Sequence, residues 1–181
     1  TAFVQQAIDF DPGNLPLRMQ LFDIAYQQRD AEALSEAQKG ILDVVGSKED
    51  GNYVLSEVKR RLITYKGKQE PRRGLEEAVS LLDDALELRP RWHELHILYG
   101  QLLLTLGRDI ELALEHFDDA LDYGPPNPRA VALQVKLLSD SGLKKQALER
   151  AELLPEEYRT ELLGTSEADL LMAKGDVEGA F

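Results

Sequence analysis

The sequence predicts an all-α chain of stacked helices, and three observations predict it. One six-residue spelling occurs three times, as Ala7-Ile8-Asp9-Phe10-Asp11-Pro12, Ala85-Leu86-Glu87-Leu88-Arg89-Pro90 and Ala120-Leu121-Asp122-Tyr123-Gly124-Pro125. Apolar residues approach these copies at helical spacing: Leu75, Ala78, Val79, Leu82 and Leu86 make one face, which Ile110, Ala113, Leu114, Phe117 and Leu121 repeat 35 positions later. No stretch alternates apolar and polar residues over five or more positions, so no strand is expected. With Ile41 in the alanine slot of a weaker fourth copy, the steps are 34, 44 and 35 residues. A period near 34 is the mark of helical arrays.

The elements follow in order. Residues 1–14 read as a partial unit that stops at Pro12. In 15–46, Leu17, Leu21, Ile24 and Ala25 form a helix that ends before Arg29-Asp30, and Leu34, Ala37 and Ile41 form its partner, ending at Gly46. The unit 51–90 carries about ten extra residues between Tyr65 and Gly74, and this insertion, 66–73, is expected in the turn between its two helices. In 91–126, Leu95, Leu98, Tyr99, Leu102 and Leu106 run to Gly107, a natural helix stop. In 127–155, Val131, Val135 and Leu138 lead to Gly142, and a helix over Lys144 to Leu154 is cut by Pro155. A second partial unit, 156–181, has Leu162, Leu163, Leu170 and Leu171 before Gly175-Asp176. The small residues Gly100, Ala78, Ala85, Ala113 and Ala120 allow helices to cross closely. The prolines end the second helix of a unit and set the step into the next. One hairpin leaves an apolar face bare, so each is stable only when stacked on its neighbours.

With 181 residues, 43% hydrophobic and 30% charged, the chain suits one folded domain or one array. No apolar run is long enough to insert in a membrane. The absence of cysteine removes disulfides, thiolate metal sites and cysteine nucleophiles. A net charge of −12 repels nucleic acid and anionic lipid. The compartment is left unassigned, with the cytoplasm ranked ahead of the periplasm. The chain opens inside one helix of a unit and closes where another should begin, so a piece of a longer protein is expected.

The pattern resembles the tetratricopeptide repeat (TPR) family, through Tyr99-Gly100, Gly107-Arg108, Phe117, Ala120 and Pro125 in the best unit, Ala78, Leu82, Ala85 and Pro90 before it, and Gly142 and Ala147 after it. The resemblance implies a right-handed α-solenoid of antiparallel pairs of A and B helices, a TPR-like superhelix covering residues 1–181. It also implies a concave groove lined by the A helices, where a peptide or partner protein binds. The groove positions carried over are Met19, Asp23, Tyr26 and Gln27, then Arg60, Ile63 and Thr64, then Ile97, Gln101 and Leu104, and finally Lys136. That mixture suits a peptide with apolar anchors. One subclass clamps the C-terminal carboxylate of chaperone peptides with Lys and Asn, but the corresponding slots hold Asp23, Met19 and Gln101, so that ligand is not implied.

Other motifs offer less chemistry. His93 and His96 are three apart, whereas the zinc-protease pattern needs histidines four apart on one helical face, and Ile97 occupies that place. His116 falls on the following helix. His96 is therefore expected as a packing residue, and neither a metal nor a cofactor is expected. Asp83-Asp84 and Asp118-Asp119 are expected on solvated faces opposite the apolar stripe, not in a catalytic cleft. A basic run, Lys59, Arg60, Arg61, Lys66, Lys68, Arg72 and Arg73 against the one acid Glu70, suggests a docking patch for an acidic or phosphorylated partner. The acidic stretch Asp109 to Asp122 would complement it in self-association. The expected function is a non-catalytic protein-interaction scaffold, and the alternative is a regulatory or substrate-recruiting module of a larger enzyme or assembly protein. Its partners would be proteins or peptides, not nucleic acid.

Overall fold

The computed structural model describes residues 2–65 and 69–163, which fold as ten helices and no strand. They are α1 Ala2–Phe10, α2 Leu15–Gln28, α3 Ala31–Val45, α4 Gly51–Thr64, α5 Gln69–Leu88, α6 His93–Leu106, α7 Ile110–Tyr123, α8 Pro128–Asp140, α9 Lys144–Ala151 and α10 Glu156–Leu163. Their starts are chemically marked. Asn14, Asp30, Asp50, Asp109 and Asn127 each accept a hydrogen bond from a backbone N–H two or three residues on, which satisfies donors that the first turn leaves free. Gly107 ends α6 at a φ of 65°, a left-handed conformation in which glycine has no Cβ penalty. Arg29 holds the equivalent place after α2 with a φ of 55° and is the only such non-glycine residue among those described.

Helices pair as the period predicts: α2 with α3, α4 with α5, α6 with α7 and α8 with α9. Each pair packs on the next, and the first helices of successive units touch as well, α2 on α4 and α4 on α6. All substantial contacts join helices one or two apart in sequence, as stacking requires and as a bundle with crossing hairpins would not allow. The core is correspondingly linear. Phe22, Ala25, Leu34, Ala37 and Ile41 fill the α2–α3 layer. Met19 packs against both this layer and the larger one over α4, α5 and α6. Leu104 then bridges to Ile97, Phe117, Ala120 and Ala130, and Leu114 and Leu121 of α7 reach the α8–α9 layer around Val131, Val135 and Leu154.

Two close approaches set the spacing. A Cβ on Gly100 would lie 2.7 Å from the Phe117 ring and 3.0 Å from the Ala113 carbonyl oxygen, so only glycine lets α7 cross α6 here. A Cβ on Gly51 would lie 2.1 Å from the indole of Trp92, which couples the start of α4 to the start of α6.

Two boundaries differ from expectation. The insertion 66–73 was expected as a turn, but α5 already begins at Gln69, so much of the added length lengthens the helix to 20 residues. A helix elongates by one hydrogen bond per residue once nucleated, and hence absorbs added residues readily. The helix after Gly142 ends at Ala151, short of Leu154, which is buried beyond it. Residues 164–181, including Leu170, Leu171 and Gly175-Asp176, lie outside the described residues.

Candidate functional site

The first helices of successive units lie side by side, and the groove positions divide by what their side chains already touch. Gln27, Thr64 and Lys136 are exposed, while Asp23, Tyr26, Arg60 and Gln101 are half-buried. Asp23 on α2 takes a salt bridge from Lys59 on α4 at 2.8 Å, and the same ammonium lies 5.5 Å from the centroid of the Tyr26 ring. Burial pushes the Tyr26 phenol up, and the positive charges of Arg129 and Arg29 oppose that.

The aliphatic positions behave differently. Ile97 retains 8% exposure and packs with Phe117, Ala120 and Ala130, so it is a core residue and not a groove anchor. The resemblance places it one turn along α6, where the neighbouring α7 and α8 cover it. Met19, Ile63 and Leu104 are half-buried in the seams between helices, which leaves little apolar area for a ligand.

The basic run is largely neutralised. Among its described residues, Lys59 pairs with Asp23, Arg60 and Arg61 with Glu57, Arg61 also with Glu77, Arg72 with Glu76 and Arg73 with Glu77. Lys66 and Lys68 lie outside the described residues. The charge count along the sequence overlooked the acids supplied by α2, α4 and α5 (Asp23, Glu57, Glu76 and Glu77). Glu57 is the hub. It is only 6% exposed, and receives Arg61 Nε at 2.5 Å, Gln38 Nε2 at 2.7 Å and Arg60 Nη2 at 2.9 Å. Burial would raise its carboxyl, but the hydrogen bonds from Arg61, Gln38 and Arg60 outweigh burial and hold it below the usual carboxylate range. Arg61 also donates to the Gly74 carbonyl and so fastens α4 to α5.

The acidic pairs are less idle than a solvated face implies. Asp83 accepts the Tyr99 hydroxyl at 2.5 Å. Asp118 accepts from Gln134 at 2.8 Å and from Arg150 at 2.7 Å, tying α7 to α8 and α9. Asp119 is 3.4 Å from His96 Nδ1. Sequence reasoning missed these because helices pair antiparallel across a turn, and the partner of a residue is then its mirror position. His96 and His116 stand ten positions either side of Leu106, and their Nδ1 atoms are 3.0 Å apart. His96 is 5% exposed, as a packing residue should be, and its Nε2 is 2.9 Å from the Pro90 carbonyl oxygen. The His116 ring stacks on Tyr99 at 4.0 Å between centroids. Burial and then the charge of His96 pull the His116 imidazole down to about 4, so it is neutral at pH 7.

Neither a protein-family model nor a curated protein matches the sequence. A solved structure does: the crystal structure of a thermophilic TPR protein from Thermus thermophilus is similar at 19% identity, with a TM-score of 0.74, over 94% of this chain and 88% of that one. At that identity the likeness concerns architecture, and it agrees with the paired and stacked helices described above. The chain has the fold of a tetratricopeptide repeat protein.

Proposed function

We propose that the protein is a non-catalytic scaffold that binds a peptide or a partner protein along the face formed by α2, α4, α6 and α8. Folds of this kind serve in general as protein-interaction scaffolds. The observation that supports the reading is the solvent exposure that Asp23, Tyr26, Arg60, Gln101 and Lys136 keep on the first helices of successive units. A rigid array loses little entropy on binding, because its contact groups are already in place. With the aliphatic positions spent on the core, recognition falls to hydrogen bonds and to the Tyr26 ring, which favours an extended peptide with amide and single-charge groups over one with large apolar anchors.

Selection of a displayed random-peptide library against the purified chain tests this. Selected peptides should lose at least about tenfold in affinity, or 1.4 kcal/mol, with Tyr26→Ala or Gln101→Ala. They should keep it with Asp84→Ala, an exposed position on α5. Peptides that tolerate both groove changes, or a library that yields no binder, would overturn the proposal.

A further inference from the structure

Where α6 and α7 cross, three atoms of metal-ligand type converge from two helices. His96 Nδ1 is 3.0 Å from His116 Nδ1 and 3.4 Å from an Asp119 carboxylate oxygen, and one such atom from each of the three residues falls within a 4.8 Å span. The Pro90 carbonyl can only accept a hydrogen bond, so His96 Nε2 carries a proton and donates it there. His96 Nδ1 is then the nitrogen that faces both a second imidazole and a carboxylate. Two imidazoles and a carboxylate gathered at one point are a ligand set that suits a cation.

We propose that His96, His116 and Asp119 bind one divalent transition-metal ion of the zinc class. Zinc takes imidazole and carboxylate ligands at roughly 2.0–2.2 Å in a tetrahedron, which separates neighbouring ligand atoms by about 3.4 Å. The two separations from His96 Nδ1 lie close to that value, and Asp119, about a third exposed in its side chain, has room to complete the set. A backbone carbonyl that holds the remote nitrogen of a ligating histidine is the usual outer support of such a site, and Pro90 supplies it for His96. Both imidazoles ligate as neutral rings, any proton on a ligating nitrogen passing to solvent or to the other nitrogen of its ring. Three protein ligands leave the fourth position to water. The nearby Asp83 carboxylate, held by the Tyr99 hydroxyl beside the stacked His116 ring, adds negative charge around the ion.

The chain has no cysteine and three histidines, so uptake can be assigned cleanly. Tag-free protein would be titrated with zinc in competition with a chromophoric chelator, and with cobalt read by its visible d–d absorption. One ion per chain is expected, with a tetrahedral or five-coordinate cobalt spectrum and a zinc-dependent rise in Tm. His116→Ala should abolish the cobalt spectrum and weaken zinc about 100-fold or more, Asp119→Asn should weaken it roughly 10–100-fold, and His93→Ala should leave it unchanged. Helical circular dichroism checks that each variant folds; were His116→Ala to unfold, the half-exposed Asp119→Asn variant decides alone. No saturable uptake, or unchanged affinity in Asp119→Asn or in a folded His116→Ala protein, would overturn the site.

Discussion

Two polar clusters sit inside this array, and they are built to opposite ends. Around Glu57, one buried carboxylate meets two guanidinium groups and an amide, so its oxygens are saturated by donors and its charge is more than balanced. Around His96, two imidazole nitrogens and a carboxylate converge on one point. The first cluster draws α3, α4 and α5 together and is complete as it stands. The second lies at the α6–α7 crossing and gains from an added cation. Similar burial therefore produces a fastener in one place and a receptive site in the other, and what separates them is whether guanidinium donors or metal-ligand groups gather at the centre.

The contrast can be broken most severely at Glu57. Glu57→Ala removes the anion that Arg60 and Arg61 share, and should lower stability by about 3 kcal/mol, the lower end for breaking a buried pair because both arginines keep access to water and Arg61 keeps Glu77. Urea unfolding measures it, with little change expected in metal uptake at α6–α7. Gly100→Ala strikes the other cluster through its geometry. The added methyl group meets Phe117 and the Ala113 carbonyl, so a cost of about 2 kcal/mol is expected, together with weaker zinc binding as α7 is pushed off α6. An alanine variant with wild-type Tm would show that the crossing is looser than described.

Acid sharpens the comparison further. Glu57 is held below its unfolded pKa, so above the ordinary carboxylate range its full stabilisation is present. As pH falls from that range through the folded value, the unfolded chain binds a proton that the native chain resists, and stability drops. In Glu57→Gln this part of the acid dependence should vanish, and unfolding midpoints measured from pH 7 down to about 3 would show it. The smallest effect is expected outside both clusters. Arg29→Gly relieves a left-handed residue at the α2–α3 turn and should stabilise by roughly 0.5–1 kcal/mol, read as a Tm rise of a few degrees at most.

Much of the architecture was legible in the residues. The recurring Ala-aliphatic-acid spelling and the glycine and proline stops place the paired helices from α2 to α9, because helix formation and termination depend on neighbours a few positions away. The length of α5 was not legible. Gly67 and Pro71 spell a turn, yet proline is tolerated in the first turn of a helix, and α5 starts two residues before Pro71. The candidate site was read less well. Asp23, Tyr26, Arg60, Gln101 and Lys136 keep some solvent exposure, but Ile97 is taken into the core by α7 and α8, helices whose approach no pattern within α6 reveals.

The sequence by itself determined that this protein is a run of amphipathic helices in pairs, because period, small crossing residues and stop signals are local properties written into each repeat. Tertiary structure alone decided which charges cancel and which lone pairs meet. Lys59 finds Asp23 from 36 positions away, and His96 finds His116 across a hairpin. Electrostatic energy depends on distance in space, and separation along the chain does not report it.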